Sequence, residues 1–177
     1  MKLLRAAAVL CLLAVLCWPE FARYAAERRV GYATTAFRAL LDRSSDPETA
    51  RNIVGVGQLA LTTTGSLPDD PRPWVLAGSS FLVTGQPERA LEFYREAFAT
   101  GERAEIDLNV GRAYAMLRRS DSAAAAQLRA GWISPEILES LPPAVKQPLL
   151  AEIARLSLEL RQGRLGAPPP LPPEERR

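Results

Sequence analysis

A repeat at a spacing of 33 residues, between Trp74 and Ala130, constrains the fold of this chain more than any other feature. In each copy a glycine and an aromatic residue precede a break, and two alanines follow it. A glycine lets a second helix approach the first closely while the aromatic ring fills the space beside it, so each copy predicts a tight helical hairpin. Two unrelated hairpins are the alternative. The matched positions are Gly78 and Gly111, Phe81 and Tyr114, Ala90 and Ala123, and Ala97 and Ala130.

The first copy resembles the tetratricopeptide repeat (TPR), whose pattern is W-x2-L-G-x2-Y followed by A-x3-F. The second copy departs from this pattern, because Gln127 stands where an aromatic residue is expected and Arg118 stands where the first copy has Gly85. The resemblance covers about 60 residues and implies an all-α fold, a short right-handed α-solenoid of TPR-like helical hairpins. The residues to which it assigns repeat packing are Trp74, Gly78, Phe81, Ala90, Tyr94, Gly111, Tyr114 and Ala123.

The resemblance also implies a binding surface, because in this family the first helices of successive repeats line a groove that binds peptide segments. A groove with apolar and polar residues suits an extended peptide or a partner's helix. A clamp for a terminal carboxylate is not expected, since Val75 and Ser79 stand where such a clamp has a lysine and an asparagine, and only Asn109 fits it. The implied groove residues are Arg72, Val75, Ser79, Leu82, Glu105, Leu108, Asn109, Arg112 and Met116.

The N-terminus has the pattern of an export signal, in which two basic residues precede an uninterrupted apolar run of 13 residues, Ala6–Trp18. A membrane-spanning helix needs about 20 apolar residues, a length that the run reaches only with its flanks. The expected small-x-small cleavage site is hard to find, because Ala22 has Glu20 two residues before it and Ala25 has Arg23. We therefore predict an uncleaved signal anchor, a transmembrane helix over residues 1–22, with a cleaved signal peptide as the alternative.

The charges beside the apolar run predict its orientation. Lys2 and Arg5 would lie on the cytoplasmic side of a bacterial inner membrane, so the C-terminal domain of a single-pass protein would lie on the periplasmic side. A soluble protein exported to the periplasm is the alternative. Apolar residues recur near the helical period in the next segment, which predicts a juxtamembrane helix at 23–46. The arginines of this helix form a solvated face or contact anionic lipid headgroups.

Caps and prolines divide the rest of the chain into helices. Asp46 is a predicted N-cap with Pro47 in the first turn, and the helix that follows contains Gly55 and Gly57, which we interpret as points of close helix contact. Two hairpins alone would leave apolar faces exposed, so a helix on each side is predicted to cap them. The proline-rich composition of residues 163–177 predicts a disordered tail. Docking of this tail to a partner's groove is the alternative. The predicted domain spans 47–162, with repeats at about 71–101 and 104–131 and capping helices at 47–63 and 144–161.

Composition limits the chemistry of the chain. Histidine is absent, which removes the commonest general base and the commonest metal ligand. The two cysteines, Cys11 and Cys17, lie in the apolar run, where we interpret them as small hydrophobic residues. A formal charge of +2 without a concentrated basic stripe argues against a nucleic-acid partner. We therefore expect no enzymatic activity, no metal and no cofactor.

Two functions fit these patterns. The first is a non-catalytic scaffold or assembly factor of a bacterial cell envelope, whose tether keeps a peptide-binding groove near membrane-associated protein partners. The alternative is a permanent accessory or structural subunit of a larger membrane protein complex. Both predict protein partners and contact between the N-terminal helix and the lipid bilayer.

Overall fold

The computed structural model describes the backbone of residues 2–41, 46–170 and 172, and the side chains of the same residues except 2–11 and 14. Helices are the regular structure of these ranges, which contain no strand, and the all-α prediction is therefore confirmed. The helices are α1 (Lys2–Leu41), α2 (Pro47–Leu61), α3 (Arg72–Val83), α4 (Pro87–Ala99), α5 (Ala104–Met116), α6 (Ser120–Ile133), a 3₁₀ helix (Pro135–Ser140) and α7 (Pro143–Arg161).

Each helix packs against the next one along the chain, so that α1 pairs with α2, α3 with α4, and α5 with α6. Helix α3 also contacts both α1 and α5, which makes the first helices of successive pairs neighbours. The 3₁₀ helix and α7 pack on α6 and cover the end of this arrangement. One buried cluster spans α3 to α6, and a second joins α5 and α6 to the 3₁₀ helix and α7.

The first two helices extend the stack towards the N-terminus. Helix α1 is continuous over the ranges predicted as an anchor and a juxtamembrane helix, and α2 packs against both α1 and α3. One face of α1 is covered by α2, by the start of α3 and by the segment between them, so the helical stack begins within α1, before residue 47. The residues buried between these elements are Ala26, Val30, Ala33, Ala60, Leu67 and Leu76.

The start of α2 confirms the predicted cap. The Asp46 carboxylate accepts hydrogen bonds from the backbone N–H of Thr49 at 2.9 Å and from its hydroxyl at 3.0 Å. Pro47 occupies the first turn, where its missing N–H leaves no intrahelical bond unmade. Local capping chemistry therefore fixes where this helix begins.

Close approach at two equivalent glycines defines the two hairpins. A Cβ atom added to Gly78 would lie 2.5 Å from Cε1 of Tyr94. A Cβ atom added to Gly111 would lie 2.7 Å from Cγ of Gln127, the residue 33 positions after Tyr94. Gln127 is buried. The glutamine that departs from the TPR pattern thus occupies the place that the tyrosine has in the first copy.

The two glycines of α2 have different environments. A Cβ atom added to Gly57 would lie 2.8 Å from Oγ of Ser80 and 3.2 Å from Cα of Ala77, so Gly57 is a point of close contact with α3, as predicted. Gly55 is exposed and has no neighbouring atom within 4 Å of an added Cβ, so the same prediction was wrong for Gly55. Successive helical residues are rotated by about 100°, which turns Gly55 away from the face of Gly57.

The first helices of the two hairpins end in the same way. Gly85 has a positive φ of 77° and Arg118, 33 residues later, has a positive φ of 57°. A left-handed residue after the last helical turn lets the next two N–H groups reach carbonyls that would otherwise be unpaired. The outer bonds that close the two ends are Gln86 N–H to Phe81 C=O and Arg119 N–H to Tyr114 C=O, each 2.9 Å.

The packing residues named from the sequence lie in or against the core. Trp74 is partly buried and stacks on Phe93, with 6.4 Å between the ring centroids, and Phe93 in turn stacks on Phe81 at 5.2 Å. The other predicted packing residues are buried, namely Gly78, Phe81, Ala90, Tyr94, Gly111, Tyr114 and Ala123.

The N-terminal part of α1 extends beyond the packed helices. Apolar side chains between residues 12 and 21 are 50% to 69% exposed. No helix is long and apolar enough to span a membrane when the search is confined to the described part of the chain. About half of the side chains of the predicted anchor at 1–22 lie outside that part, because those of 2–11 and 14 are not described. The exposed apolar residues are Leu12, Leu13, Val15, Leu16, Trp18 and Phe21.

Candidate interaction surface

Two of the nine predicted groove residues belong to the core instead. Leu82 is 9% exposed and belongs to the cluster that spans α3 to α6. Leu108 is 3% exposed and packs with residues of α6, the 3₁₀ helix and α7. The repeat register predicts which residues share a helix face, but not that the 3₁₀ helix and α7 cover part of that face. Val75 is partly buried against the first cluster.

Arg72 lies at the junction of α1 and α3, where other residues of the chain engage its guanidinium. It forms ion pairs with Glu27 of α1 at 2.7 Å and with Asp70 at 2.5 Å. Burial raises the pKa of Asp70, but the hydrogen bonds from Arg72 outweigh burial and hold this pKa below its usual range. These residues line a cavity of about 460 Å³ together with Arg23 and Arg103. Arg72 thus connects α1 to the start of α3.

Ser79 and Arg112 occupy equivalent positions of the two copies, and both act on the ionisation of the Tyr94 hydroxyl. The Ser79 and Tyr94 oxygens are 3.3 Å apart. Burial raises the pKa of Tyr94 to about 12, against the opposing effects of the Ser79 hydrogen bond and the Arg112 charge. Tyr94 is therefore a neutral phenol at physiological pH and carries a hydroxyl that can donate one hydrogen bond.

Arg112 extends this polar cluster from α5 to the 3₁₀ helix. Its Nη1 donates to Oδ1 of Asn109 at 3.0 Å, and its Nη2 donates to Oγ of Ser140 at 2.8 Å. The sequence did not indicate Ser140, because this residue follows the repeats and belongs to no periodic pattern. The repeat pattern did identify the Tyr94 ring, but the position of its hydroxyl became evident only from the packing of three helices.

Four of the predicted residues form one stripe along α5. Glu105, Asn109, Arg112 and Met116 follow the helical spacing i, i+4, i+7 and i+11, which brings them to one side of the helix. Glu105 and Met116 are exposed, the latter by 49%, while Asn109 and Arg112 are partly exposed. We call this stripe, together with Ser79 of the neighbouring helix α3, the α5 surface. The stripe itself presents a thioether, a carboxylate and a hydrogen-bonded guanidinium on one helix.

The described residues contain no group of three or more His, Cys, Asp or Glu side chains that could hold a metal ion. Cys17 is exposed on α1, remote in sequence from the α5 surface. No protein-family model, no curated protein and no solved structure matches this chain.

Proposed function

We propose that this chain is a non-catalytic scaffold or assembly factor built from TPR-like hairpins. In this proposal α1 tethers it to a bacterial inner membrane, and the α5 surface binds a partner's peptide or helix. The equivalence of the two hairpins supports the family assignment. Gly78 and Gly111 contact residues 33 positions apart, and Gly85 and Arg118 adopt the same left-handed conformation.

The fixed position of Arg112 is the observation that carries the binding proposal. Asn109 and Ser140 orient its guanidinium. Binding of a partner then loses less entropy than it would if the arginine side chain were mobile beforehand. Arginine has five N–H donors, and the two bonds use only part of this capacity. Met116 lies one turn away and is 49% exposed, so it supplies adaptable apolar contact. An oriented donor beside an exposed thioether suits a peptide that carries both an apolar side chain and an acceptor group.

The exposed apolar part of α1 supports the membrane tether. Its apolar side chains between residues 12 and 21 are 50% to 69% exposed. Contiguous apolar exposure of this kind marks contact with a membrane or another protein. With Lys2 and Arg5 on the cytoplasmic side, the packed helices would lie in the periplasm. An exported periplasmic protein without the anchor is the alternative location.

A permanent subunit of a larger membrane complex is the second candidate function. Tyr24 and Tyr32 favour it, since they are 60% and 68% exposed on the part of α1 that packs against the other helices. Tyr32 lies 14 residues after Trp18, which is about 21 Å along a helix axis. An upright anchor would hold this tyrosine away from the bilayer, where a neighbouring subunit could cover it.

The binding proposal is tested by quantitative co-purification of the full chain from detergent-solubilised membranes. The double variant Arg112→Glu/Met116→Ala should lose the partners that the wild type retains, since it reverses the fixed charge and removes the apolar contact. Arg51→Glu, an exposed charge reversal on α2, is the matched control and should retain them. Equal recovery of partners with both variants would contradict the proposal. A chain that always elutes with one fixed complex would favour the subunit function.

A further inference from the structure

The described prolines of the segment after α7 differ in their exposure to solvent. Pro169 and Pro172 are buried, whereas Pro168 and Pro170 are exposed. A polyproline II helix has three residues per turn, so positions 169 and 172 lie on the same edge. Burial at this spacing is what one face of a polyproline II helix on a protein surface produces. Pro169 and Pro172 of the predicted tail are therefore shielded from solvent, while residues 171 and 173–177 lie outside the described residues.

One arginine side chain holds the segment. Nη1 of Arg129 in α6 donates to the backbone carbonyl of Pro169 at 2.6 Å. Nε and Nη2 of Arg129 donate to the two carboxylate oxygens of Glu102, at 2.5 and 2.6 Å. This two-bond contact orients the guanidinium, because a carboxylate matches the planar edge of arginine. The carbonyls of a polyproline II helix make no internal hydrogen bonds and are available to such a donor.

A second carboxyl group, that of Asp107 in α5, acts on the same arginine. Asp107 is fully buried and lies near Glu102. It stands 33 positions after Trp74, so the second copy has a carboxyl group where the first has an indole. Asp107 and Glu102 both act on the charge of Arg129 and raise its pKa, with Glu102 as the larger contributor. The arginine is 15% exposed and is held between acidic neighbours.

We propose that Glu102 and Arg129 form a polyproline II-binding site and that the proline-rich segment around Pro169 of the same chain is its ligand. The tail then fastens the end of α7 to the α5–α6 hairpin. This site is separate from the α5 surface and does not depend on the scaffold function. Sequence patterns did not indicate it, because residues 102 and 129 come together only when the loop before α5 meets α6.

The tail position can be measured in the full chain in detergent. Spin labels on Ala124→Cys in α6 and Ala167→Cys in the tail, with Cys11 and Cys17 replaced by alanine, report the distance between these two exposed positions by pulsed electron resonance. A bound tail predicts one narrow distance distribution. A broad distribution in the otherwise unchanged chain would overturn the proposal. A mixture of two singly labelled chains that gave the same narrow distribution would assign the site to the tail of a second copy, and would also overturn it.

The prolines supply a matched pair of variants that lie outside the helices. Pro169→Ala/Pro172→Ala removes the buried rings and should broaden the distribution, whereas Pro168→Ala/Pro170→Ala removes exposed rings and should leave it narrow. Arg129→Ala should broaden it as well, with Arg155→Ala on α7 as the arginine control. Equal behaviour of the two proline pairs would contradict a polyproline II face.

Binding in trans provides an independent readout. A fluorescent peptide of residues 166–174 should bind the Pro169→Ala/Pro172→Ala chain about tenfold or more tightly than the wild type, because a wild-type tail competes at a high effective concentration. Equal affinities of the peptide for the two chains would overturn the proposal.

Discussion

The ring of Tyr94 lies directly against the backbone of Gly78, so closely that a single added methyl group would come within 2.5 Å of the ring. Tyr94 is fully buried, and its hydroxyl lies 3.3 Å from the Ser79 hydroxyl. The contact that sets the separation of α3 and α4 therefore also places the hydroxyl beside the α5 surface. A change at Gly78 should affect both the packing of the hairpin and the geometry of this surface.

Gly78→Ala is expected to lower the free energy of unfolding by about 1–2 kcal/mol, because overpacking outweighs the gain in helix propensity. Gly55→Ala is the matched control, since Gly55 is also inside a helix but has open space around it. The control should raise the free energy of unfolding by up to about 1 kcal/mol. Urea unfolding followed by circular dichroism measures both changes. Stabilisation by both substitutions would show that the hairpin does not depend on the close approach at Gly78.

Arg118→Gly is expected to stabilise the protein by about 0.5–1 kcal/mol. Arg118 has a φ of 57°, and this left-handed conformation costs a residue with a Cβ roughly 1–2 kcal/mol, which glycine avoids. Part of this gain is offset because glycine has more conformational freedom to lose when the chain folds. The reciprocal change, Gly85→Ala, should destabilise by about 1 kcal/mol although no atom lies near an added Cβ. Thermal unfolding of both variants is the measurement. We expect Arg118→Gly to raise the stability and Gly85→Ala to lower it. A loss of stability in Arg118→Gly would contradict the equivalence of the two helix ends.

The stability of the chain should depend on pH through Asp107. Burial raises the pKa of Asp107 to about 7 and the nearby Glu102 carboxylate adds to this, while Arg129 opposes the shift. An aspartate in an unfolded chain has a pKa of about 3.9. Folding therefore favours the protonated form, and its contribution to stability is complete below about pH 4 and is lost as the pH rises toward about 7. In this interval the free energy of unfolding should fall by up to about 1.4 kcal/mol per pH unit through this group.

Asp107→Asn removes this titration. Relative to wild type, the variant should become progressively more stable between pH 4 and pH 7, and the difference should then level off. Asp69→Asn, at an exposed loop position, is the control and should parallel the wild type. Free energies of unfolding from urea titrations at several pH values decide the point. Parallel curves for Asp107→Asn and wild type would mean that Asp107 is not held as the neutral acid in the folded chain.

The features of this fold that local chemistry determines could be predicted from the sequence. Asp46 and Pro47 mark the start of α2 because the cap uses only neighbouring atoms. The start of α4 at Pro87 follows from the preference of proline for the first helical turn. The close contact at Gly78 follows from the spacing of small and aromatic residues. Each of these depends on residues that are near in sequence or repeated at a fixed interval.

The remaining features depend on contacts between distant segments. The pairing of α1 with α2 rests on an alanine-rich face that periodicity alone does not assign to a partner helix. Leu108 was expected in an open groove, but α7 and the 3₁₀ helix cover it. The bond between Arg129 and Pro169 joins residues 40 positions apart and has no periodic signal. For the same reason, Ser140 could not be recognised as a partner of Arg112.

The most direct test of the scaffold proposal is site-specific photocrosslinking of the full chain in its membrane. A crosslinking amino acid at Met116 reports on the α5 surface, and one at Glu96, exposed on α4, reports on a different helix. We expect position 116 to give one defined protein adduct that Arg112→Glu abolishes, and position 96 to give none of that adduct. The same adduct from both positions, or its persistence in the Arg112→Glu chain, would contradict a binding site on the α5 surface.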